Sequence, residues 1–313
     1  MENVILLATY NGEKYLREQI NSIFAQTIQD FSLVIHDDGS SDGTTEIISE
    51  YRNKYPDRLE VLYGNPTGSA KANFMWMLQQ VNAHYYFLCD QDDVWNPQKL
   101  EMTLKCMRDM EYDGRHEPLA VFTDMQVVDG ELNVLSTSFI RYIGRDIKNT
   151  SYTQILIDNP AAGCTMCINR ELRDIAISSS EIDWDNVPMH DAWLLEIGAI
   201  FGRVQGIDRP TVMYRQTGYN TMGAKTESET DKLARNVELA GSGGFFSRKR
   251  SFIYEARNFA GEILRLDNIP AEKKEVLEAF VAIERRPKIA RIKFYKDNNF
   301  TRARHNFWMR LWV

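Results

Sequence analysis

The chain has 313 residues, which is enough for one large α/β domain and a smaller appendage. Its 43% of hydrophobic and 26% of charged residues are typical of a globular protein, and no stretch approaches the roughly 18 apolar residues that a membrane-spanning helix needs. The net charge of -7 argues against nucleic acid as the main partner.

Strand-like and helix-like segments alternate over the first half of the chain. Apolar runs predict five strands, at residues 4–9, 31–36, 59–63, 85–89 and 119–123. Helical patterns lie between them, at about residues 13–27, 44–55, 69–81 and 96–110. The last of these helices is predicted to start with Asn96 as its N-cap and Pro97 at its first position. This alternation predicts an α/β protein with a mostly parallel sheet, in which ligands bind beyond the carboxyl ends of the strands.

The second half of the chain is less regular. Residues 166–169 and 211–214 have the pattern of strands, and residues 192–200 have that of a helix. From about residue 232 onward the pattern is helical. We therefore expect an α/β domain followed by a helical region.

The N-terminus and the cysteines indicate the compartment. The chain enters an apolar segment directly after Met1-Glu2-Asn3, without the basic region and cleavage site of an export signal, so we expect a cytoplasmic protein. The cysteines are then expected to be free thiols. Cys164 and Cys167 have C-x-x-C spacing, but Cys89 and Cys106 do not form a second such pair. A buried strand explains this spacing better than a zinc site.

Two groups of aspartates follow predicted strands: Asp37, Asp38 and Asp42 after the second, and Asp90, Asp92 and Asp93 after the fourth. Carboxylates this close repel one another unless a cation or hydrogen-bond donors neutralise them. Oxygen ligands of this kind suit Mg²⁺ or Mn²⁺, which also bind substrate phosphates and could stabilise a departing nucleoside diphosphate. Loop caps and solvated turns are the alternative, and this alternative is weaker for the second group because that group follows a buried strand directly.

Three motifs follow one another along the chain: Ala8-Thr9-Tyr10-Asn11-Gly12, then Asp37-Asp38-Gly39-Ser40-Ser41-Asp42-Gly43-Thr44, then Asp90-Gln91-Asp92-Asp93-Val94-Trp95. Together they resemble the motifs of family 2 glycosyltransferases of GT-A fold. More narrowly, they are similar to those of bacterial rhamnosyltransferases that build cell-wall polysaccharides and O-antigens. The resemblance covers roughly residues 3–225. It implies a GT-A-like catalytic domain over residues 1–225 and leaves residues 226–313 as a helical C-terminal region.

The resemblance implies that several residues bind the nucleotide of a sugar donor. Thr9 and Tyr10 would border the base, and Asp38 would contact the base or the ribose. Lys71 and Asn73 lie in a segment that approaches the nucleotide in these proteins. For Lys71, a position on the surface of a helix is an equally good explanation.

The same resemblance implies a metal site. Asp90 and Asp92 would form the DxD pair of the family, with Asp90 near the ribose and Asp92 as a ligand of Mn²⁺ or Mg²⁺, and Asp93 would lie behind them. Arg215 would approach the pyrophosphate, for which its fork of donors is suited. Thr217 stands where relatives often have a histidine that completes the metal shell, which leaves the third ligand open.

Asp191 is the candidate general base. In the family an acidic residue at this place accepts the proton of the acceptor hydroxyl, and Asp191 follows His190 at the start of an apolar helical stretch. The alternative is a helix cap. The two roles are compatible, because a helix N-terminus favours an ionised carboxylate.

The C-terminal segment, residues 285–313, is a basic tail. It contains nine Lys or Arg and one acidic residue, a net charge of +8, so the remaining 284 residues carry -15. Aromatic residues interleave with the basic ones, which is typical of a segment that lies on an anionic membrane. The alternative is a helix packed on the catalytic domain or on a second subunit. Both readings stay open at this point, and a homo-oligomer is compatible with the sequence.

The sequence thus predicts an inverting, metal-dependent glycosyltransferase. The resemblance implies transfer of rhamnose from dTDP-rhamnose to a lipid-linked cell-wall polysaccharide precursor. Peripheral contact of residues 285–313 with the inner face of the cell membrane is one of the two readings that stay open for the tail. The alternatives are a UDP-hexose donor, a non-catalytic GT-A-fold scaffold, and a nucleotidyltransferase. The last would typically have a Gly-rich basic loop early in the chain, whereas only Lys14 lies near the first loop here.

Overall fold

The computed structural model of the protein describes residues 1–216 and 244–303. Within these residues the strands are β1 (Asn3–Thr9), β2 (Ser32–Asp37), β3 (Leu59–Leu62), β4 (Tyr85–Cys89), β5 (Val94–Trp95), β6 (Leu119–Val128), β7 (Val134–Ser136), β8 (Met166–Asn169) and β9 (Arg203–Arg215). The α-helices of the same residues are α1 (Leu16–Phe24), α2 (Thr44–Lys54), α3 (Ala70–Gln80), α4 (Lys99–Glu111), α5 (Phe139–Tyr142), α6 (Tyr152–Asp158), α7 (Arg170–Ala176), α8 (His190–Phe201), α9 (Gly244–Ile263), α10 (Ala271–Val281) and α11 (Lys288–Asp297).

All nine of these strands form one sheet in the order β3-β2-β1-β4-β8-β6-β9-β5, with β7 paired to β6. The pairs β1–β2, β1–β4, β2–β3 and β6–β9 are parallel. Strand β8 runs antiparallel between β4 and β6, so β6 and β9 point the same way as the first four strands. The sheet is therefore mostly parallel, as the alternation of segments predicts.

The sheet carries a hydrophobic core on each face. Strands β1 and β4 are buried along their whole length, and their side chains alternate between the two faces. Val4 and Leu6 pack with Phe74 of α3 in one cluster, and Ile5 and Leu7 pack in the other. Burial on both faces explains why these strands read as continuous apolar runs rather than alternating ones.

The second half of the sheet differs most from the prediction. Strand β9 spans thirteen residues rather than the predicted four, and β6 extends to Val128. The two strands pair along ten residues of β6 with a register shift near Asp124. Gly206 and Pro210 lie inside β9, and they interrupt the apolar pattern from which a strand would be predicted.

The predicted start of α4 is wrong by a few residues. The helix begins at Lys99 with Gln98 at its N-cap, not at Pro97 after an Asn96 cap. The amide of Asn96 donates to the carbonyl oxygen of Thr211 in β9 at 2.8 Å. The short β5–β9 pairing therefore keeps Asn96 out of the helix.

The described C-terminal helices share a core with the sheet. Phe259 of α9 lies 6.4 Å, ring centroid to ring centroid, from Trp193 of α8. Leu277 and Phe280 of α10 belong to the same apolar cluster as Phe74. The predicted boundary at residue 225 falls outside the described residues. Within those residues, none of the helices combines the length and the apolar character that crossing a bilayer requires.

The described part of the basic tail, residues 285–303, packs on the protein. Phe294, Tyr295 and Phe300 are buried, and Phe300 stacks on Phe280 of α10 with ring centroids 4.7 Å apart. These three aromatic residues are therefore not available as membrane anchors, and for them the alternative of packing on the protein applies. Ile289 is 84% exposed, and residues 304–313 lie outside the described residues.

Candidate active site

The loop after β1 carries Tyr10 to the edge of a cavity at the carboxyl ends of the parallel strands. Asn11 adopts the left-handed backbone conformation (φ 48°), which asparagine tolerates better than most residues, and this turns the chain directly after the strand. The Asn11 amide donates to Ser40 Oγ, and the Gly12 amide donates to Thr44 Oγ1, both at 2.8 Å. The loop is thus held by the turn after β2, while Tyr10 remains 57% exposed.

Gln91, the residue between the two DxD aspartates, ties this loop to the acidic cluster. Its Oε1 accepts the Thr9 hydroxyl at 2.6 Å and the Tyr10 amide at 2.9 Å, and its Nε2 donates to the Tyr10 carbonyl at 2.9 Å. Thr9 is buried and its hydroxyl is engaged in this contact. Gln91 therefore fixes the first loop relative to Asp90 and Asp92. Its place inside the DxD motif was the signal that could have identified it.

Asp38 lines the cavity just beyond β2. Its carboxylate accepts the Gly68 amide at 2.9 Å and the Thr67 hydroxyl at 2.8 Å, and the Thr67 amide donates to it as well. Asn73 of α3 also lines the cavity, and its Oδ1 is hydrogen-bonded to Nδ1 of His36 at 2.9 Å. Asp38 thus shapes the loop before α3, and its contact with a base or ribose stays a prediction.

Burial is the main influence on the pKa values of the acidic cluster after β4, and the charge of Arg215 opposes it only at Asp92. Burial, together with the charges of Asp92 and Asp191, raises the pKa of Asp90 to about 7. Burial also raises the pKa of Asp92 and that of Asp93. Asp93 is fully buried: its Oδ1 accepts the Arg215 amide at 3.2 Å, whereas its Oδ2 has no hydrogen-bond partner among the described residues. A cation bound among these carboxylates would favour their ionised form.

A hard divalent cation fits this set of donors. Asp90 and Asp92 line the cavity, and ligand atoms of Asp90, Asp93 and Cys164 lie within 4.8 Å of one another. Carboxylate oxygens dominate, and Mg²⁺ and Mn²⁺ prefer them. The buried Oδ2 of Asp93 has no hydrogen-bond partner among the described residues, and a cation held by the neighbouring Asp90 would attract it. The prediction that Thr217 leaves the third ligand open falls outside the described residues.

Arg215 does not line the cavity. It is buried, and its Nε donates to the backbone carbonyl of Asp92 at 2.9 Å. Its guanidinium also forms an ion pair with Glu18 and lies 4.3 Å above the ring of Tyr15. The structure therefore places Arg215 beside the acidic loop, which it supports, and its contact with a pyrophosphate stays a prediction.

Asp191 lies in the first turn of α8, which begins at His190 rather than at the predicted residue 192. Its carboxylate accepts the Ala192 amide at 2.5 Å and the Gly163 amide at 3.2 Å. Burial raises the pKa of Asp191 to about 6, although these two amides and the charge of Arg145 oppose the shift. A side chain at Gly163 would collide with the ring of His190, so this close approach requires glycine.

Lys71 also lies away from the cavity. Its ammonium donates to the carbonyl oxygens of Val187, at 2.8 Å, and Trp184. Arg145, by contrast, belongs to none of the motifs. It is the one Lys or Arg among the described residues that line the cavity. Arg145 comes from the segment after α5, where Asp158 lies 3.5 Å from its Nε and the Asn159 carbonyl accepts from its Nη1. Neither partner is a near neighbour of Arg145 in the sequence, so no local pattern could have indicated that Arg145 lines the cavity.

The cavity has a volume of about 240 Å³. It brings together seven of the nine predicted site residues: Thr9, Tyr10, Asp38, Asn73, Asp90, Asp92 and Asp191. Lys71 and Arg215 are the two that it does not include. The site thus combines acids that can hold a divalent cation with a separate carboxylate whose raised pKa suits proton transfer near neutral pH.

Comparison with known proteins shows what the chain is similar to. Residues 4–122 match the sequence profile described as Glycosyl transferase family 2. The chain is 30% identical over 234 residues to the dTDP-rhamnosyl transferase RfbG of Shigella flexneri, which covers 70% of this chain and 74% of that protein.

Two solved structures share the fold. The first is TarS 1–349 of S. aureus in complex with UDP-GlcNAc, with a TM-score of 0.54 and 20% identity over 90% of this chain and 72% of that one. The second is the mannosyltransferase PcManGT from Pyrobaculum calidifontis in complex with GDP-Man and Mn²⁺, with a TM-score of 0.54 and 14% identity over 94% of this chain and 72% of that one. The predicted GT-A-like fold is confirmed.

Proposed function

Because the chain belongs to glycosyl transferase family 2, and is therefore a glycosyltransferase, we propose that it is an inverting, metal-dependent rhamnosyltransferase. The donor is dTDP-rhamnose and the acceptor is a lipid-linked precursor of a cell-wall polysaccharide. The observation that carries the mechanism is the single cavity that Asp90, Asp92 and Asp191 share. The likeness to a dTDP-rhamnosyl transferase supports the choice of sugar.

The donor binds along the carboxyl ends of β1, β2 and β4. The exposed ring of Tyr10 offers a face on which the base can stack, and Asn73 and Asp90 line the cavity beyond it. Asp92 with Asp90 would hold Mn²⁺ or Mg²⁺, and the ion would supply positive charge that stabilises the diphosphate leaving group. Gln91 keeps Tyr10 and the two aspartates in one arrangement, so base and diphosphate are positioned together.

Asp191 acts as the general base. Its carboxylate takes the proton of the acceptor hydroxyl, whose oxygen forms the new bond to the anomeric carbon from the face opposite the diphosphate. The bond between that carbon and the diphosphate oxygen breaks, and the electron pair leaves with the diphosphate. Attack from the opposite face inverts the configuration. With a pKa of about 6, Asp191 is ionised near neutral pH, and the positive charge of Arg145 favours this state.

Nucleoside-diphosphate release by the purified protein tests the donor and the reaction together. We expect metal-dependent release from dTDP-rhamnose in the presence of a lipid-linked saccharide extract, and no release when a chelator is added. UDP-glucose, UDP-galactose and UDP-N-acetylglucosamine are tested as alternative donors in the same assay. Release from one of them alone would replace the rhamnose assignment and leave the mechanism standing. Donor binding without release from any of the four would favour the non-catalytic scaffold.

The proposal includes peripheral contact with the inner face of the membrane through the basic tail. Lys288, Lys293 and Lys296 are exposed on α11 together with Ile289. The spacing of three to five residues brings these side chains toward one side of the helix. An enzyme with a lipid-linked acceptor benefits from such a basic surface, because anionic lipids attract each charge by roughly 1 kcal/mol.

Replacing these three lysines with glutamine is therefore expected to weaken binding to anionic vesicles about fivefold for each lysine. Binding is measured by vesicle co-sedimentation at low salt, with zwitterionic vesicles as the reference. The matched control removes three exposed charges elsewhere, by the substitutions K54Q, K105Q and R108Q. Equal loss of binding in both triple variants would contradict a specific role for α11. Deletion of residues 285–313 is a poorer test, because it also removes the buried Phe294, Tyr295 and Phe300.

A further inference from the structure

The segment 183–187 lies just before α8, which carries Asp191, and two distant parts of the protein hold it. A short 3-10 turn, Trp184–Asn186, forms its centre. Only Pro188 and Met189 separate Val187 from the start of α8. A displacement of this segment would therefore also displace Asp191.

The first contact comes from the C-terminal helical region. Glu262 of α9 is 3% exposed, and its two carboxylate oxygens accept the Asp183 amide at 2.9 Å and Nδ2 of Asn186 at 3.0 Å. Arg265, one turn further along, pairs with Glu262 at 3.0 Å and donates to the carbonyl oxygen of Glu181 at 2.7 Å. A buried carboxylate with directed hydrogen bonds from both ends of a turn fixes its position strongly.

The second contact comes from α3, on the nucleotide side of the domain. The ammonium of Lys71 donates to two carbonyl oxygens of the same segment. One belongs to Trp184, at the start of the 3-10 turn, and the other to Val187, the last residue of the segment. The positive charge of Lys71 also contributes to lowering the pKa of the adjacent His190 to about 3, although burial is the larger cause. His190 thus stays neutral and packs on Phe74 of α3, with ring centroids 4.3 Å apart.

We propose that Glu262 and Lys71 are positioning residues for the general base: together they clamp the segment 183–187 and so set the place of Asp191. This inference rests on the proposed function of Asp191. The C-terminal region then belongs to the catalytic machinery, although the family profile ends at residue 122. Lys71 serves the acceptor side of the reaction instead of contacting the nucleotide.

The E262A variant tests the C-terminal half of the clamp. The Asp183 amide and the Asn186 side chain lose their acceptor, so we expect kcat to fall about 10- to 100-fold, as small misplacements of a catalytic group do. Nucleoside-diphosphate affinity, measured by calorimetry, should stay within twofold of wild type, because Tyr10, Asp90 and Asp92 lie on other elements. The E262Q variant, which keeps one acceptor, should retain intermediate activity.

The matched control is E284A. Glu284 pairs with Arg257 of α9 at 2.6 Å and does not contact segment 183–187, so its loss disturbs the same helical region without touching the clamp. Wild-type kcat is expected. Equal loss in E262A and E284A, or unchanged kcat in E262A, would overturn the inference. If E262A does not fold, N186A takes its place, because it removes one of the two hydrogen bonds between Glu262 and the segment from the other side.

The K71A variant tests the other half. We expect a lower kcat with unchanged nucleotide affinity, whereas a direct nucleotide contact predicts weaker affinity and an unchanged kcat at saturating donor. Hydrogen exchange of residues 183–191 gives a readout that needs no turnover. Faster exchange in E262A and K71A, but not in E284A, would support the clamp even if the protein were not a transferase. Exchange equal to that of wild type in both E262A and K71A would overturn it.

Discussion

The D191N variant is expected to lose 10²- to 10⁴-fold of its sugar-transfer rate while keeping its affinity for the nucleoside diphosphate. Asparagine has nearly the same shape as aspartate but cannot accept the acceptor proton, and general-base catalysis contributes a factor of this size. The fold should persist, because burial already disfavours the ionised carboxylate, as the raised pKa of Asp191 shows. The measurements are single-turnover transfer and calorimetric binding of the nucleotide. A transfer rate within a few fold of wild type would refute the assignment.

The pH dependence provides a control on the same residue. Burial raises the pKa of Asp191 from 3.8 to about 6, so the base is protonated and inactive below about pH 6 and ionised above it. The transfer rate should therefore fall about tenfold per pH unit below this midpoint. Protonation of Asp90, which has a pKa of about 7, can also lower the transfer rate at acidic pH. The midpoint of that decrease should shift with metal concentration, because protons and metal compete for the carboxylate. If the transfer rate of the wild-type protein at saturating metal fell only near pH 4, the role of Asp191 would be contradicted.

The D92N variant is expected to abolish metal-dependent nucleotide binding and to reduce transfer by about 10³-fold or more, since a metal contributes several kcal/mol to charge stabilisation. Asp92 lines the cavity within a group of carboxylates whose pKa values burial raises, so a cation has a strong site there only while the carboxylate is present. The readout is the increase of Tm on adding Mn²⁺ with nucleoside diphosphate. Ligand at about 100 times its Kd stabilises the folded state by about 2.7 kcal/mol.

The D93N variant decides which acid holds the metal. Asp93 is fully buried and does not line the cavity, although its carboxylate approaches Asp90 and Cys164. If Asp92 is the ligand, D93N keeps at least part of the metal-induced Tm increase and D92N loses it. The reverse result would move the metal to the Asp90, Asp93 and Cys164 set. The exposed D109N variant, which removes a carboxylate far from the site, should behave as wild type.

The sequence by itself determined the first half of the sheet and most of the cavity. Strands β1, β2 and β4 lie within one residue of their predicted positions, because strands buried on both faces must be apolar over their whole length. Tyr10, Asp38 and Asp90 directly follow parallel strands, whose carboxyl ends meet at one edge of the sheet. Their convergence therefore follows from their position in sequence, whatever the details of packing.

Only the tertiary structure decided where the long, charged side chains point. Lys71 lies in the predicted motif segment but reaches segment 183–187, and Arg215 supports the acidic loop. Arg145 enters the cavity, and Glu262 holds the segment before Asp191, without any motif to mark them. A flexible side chain is oriented by the partner that best satisfies its charge. That partner lies on another element in each case, which local periodicity and spacing do not encode.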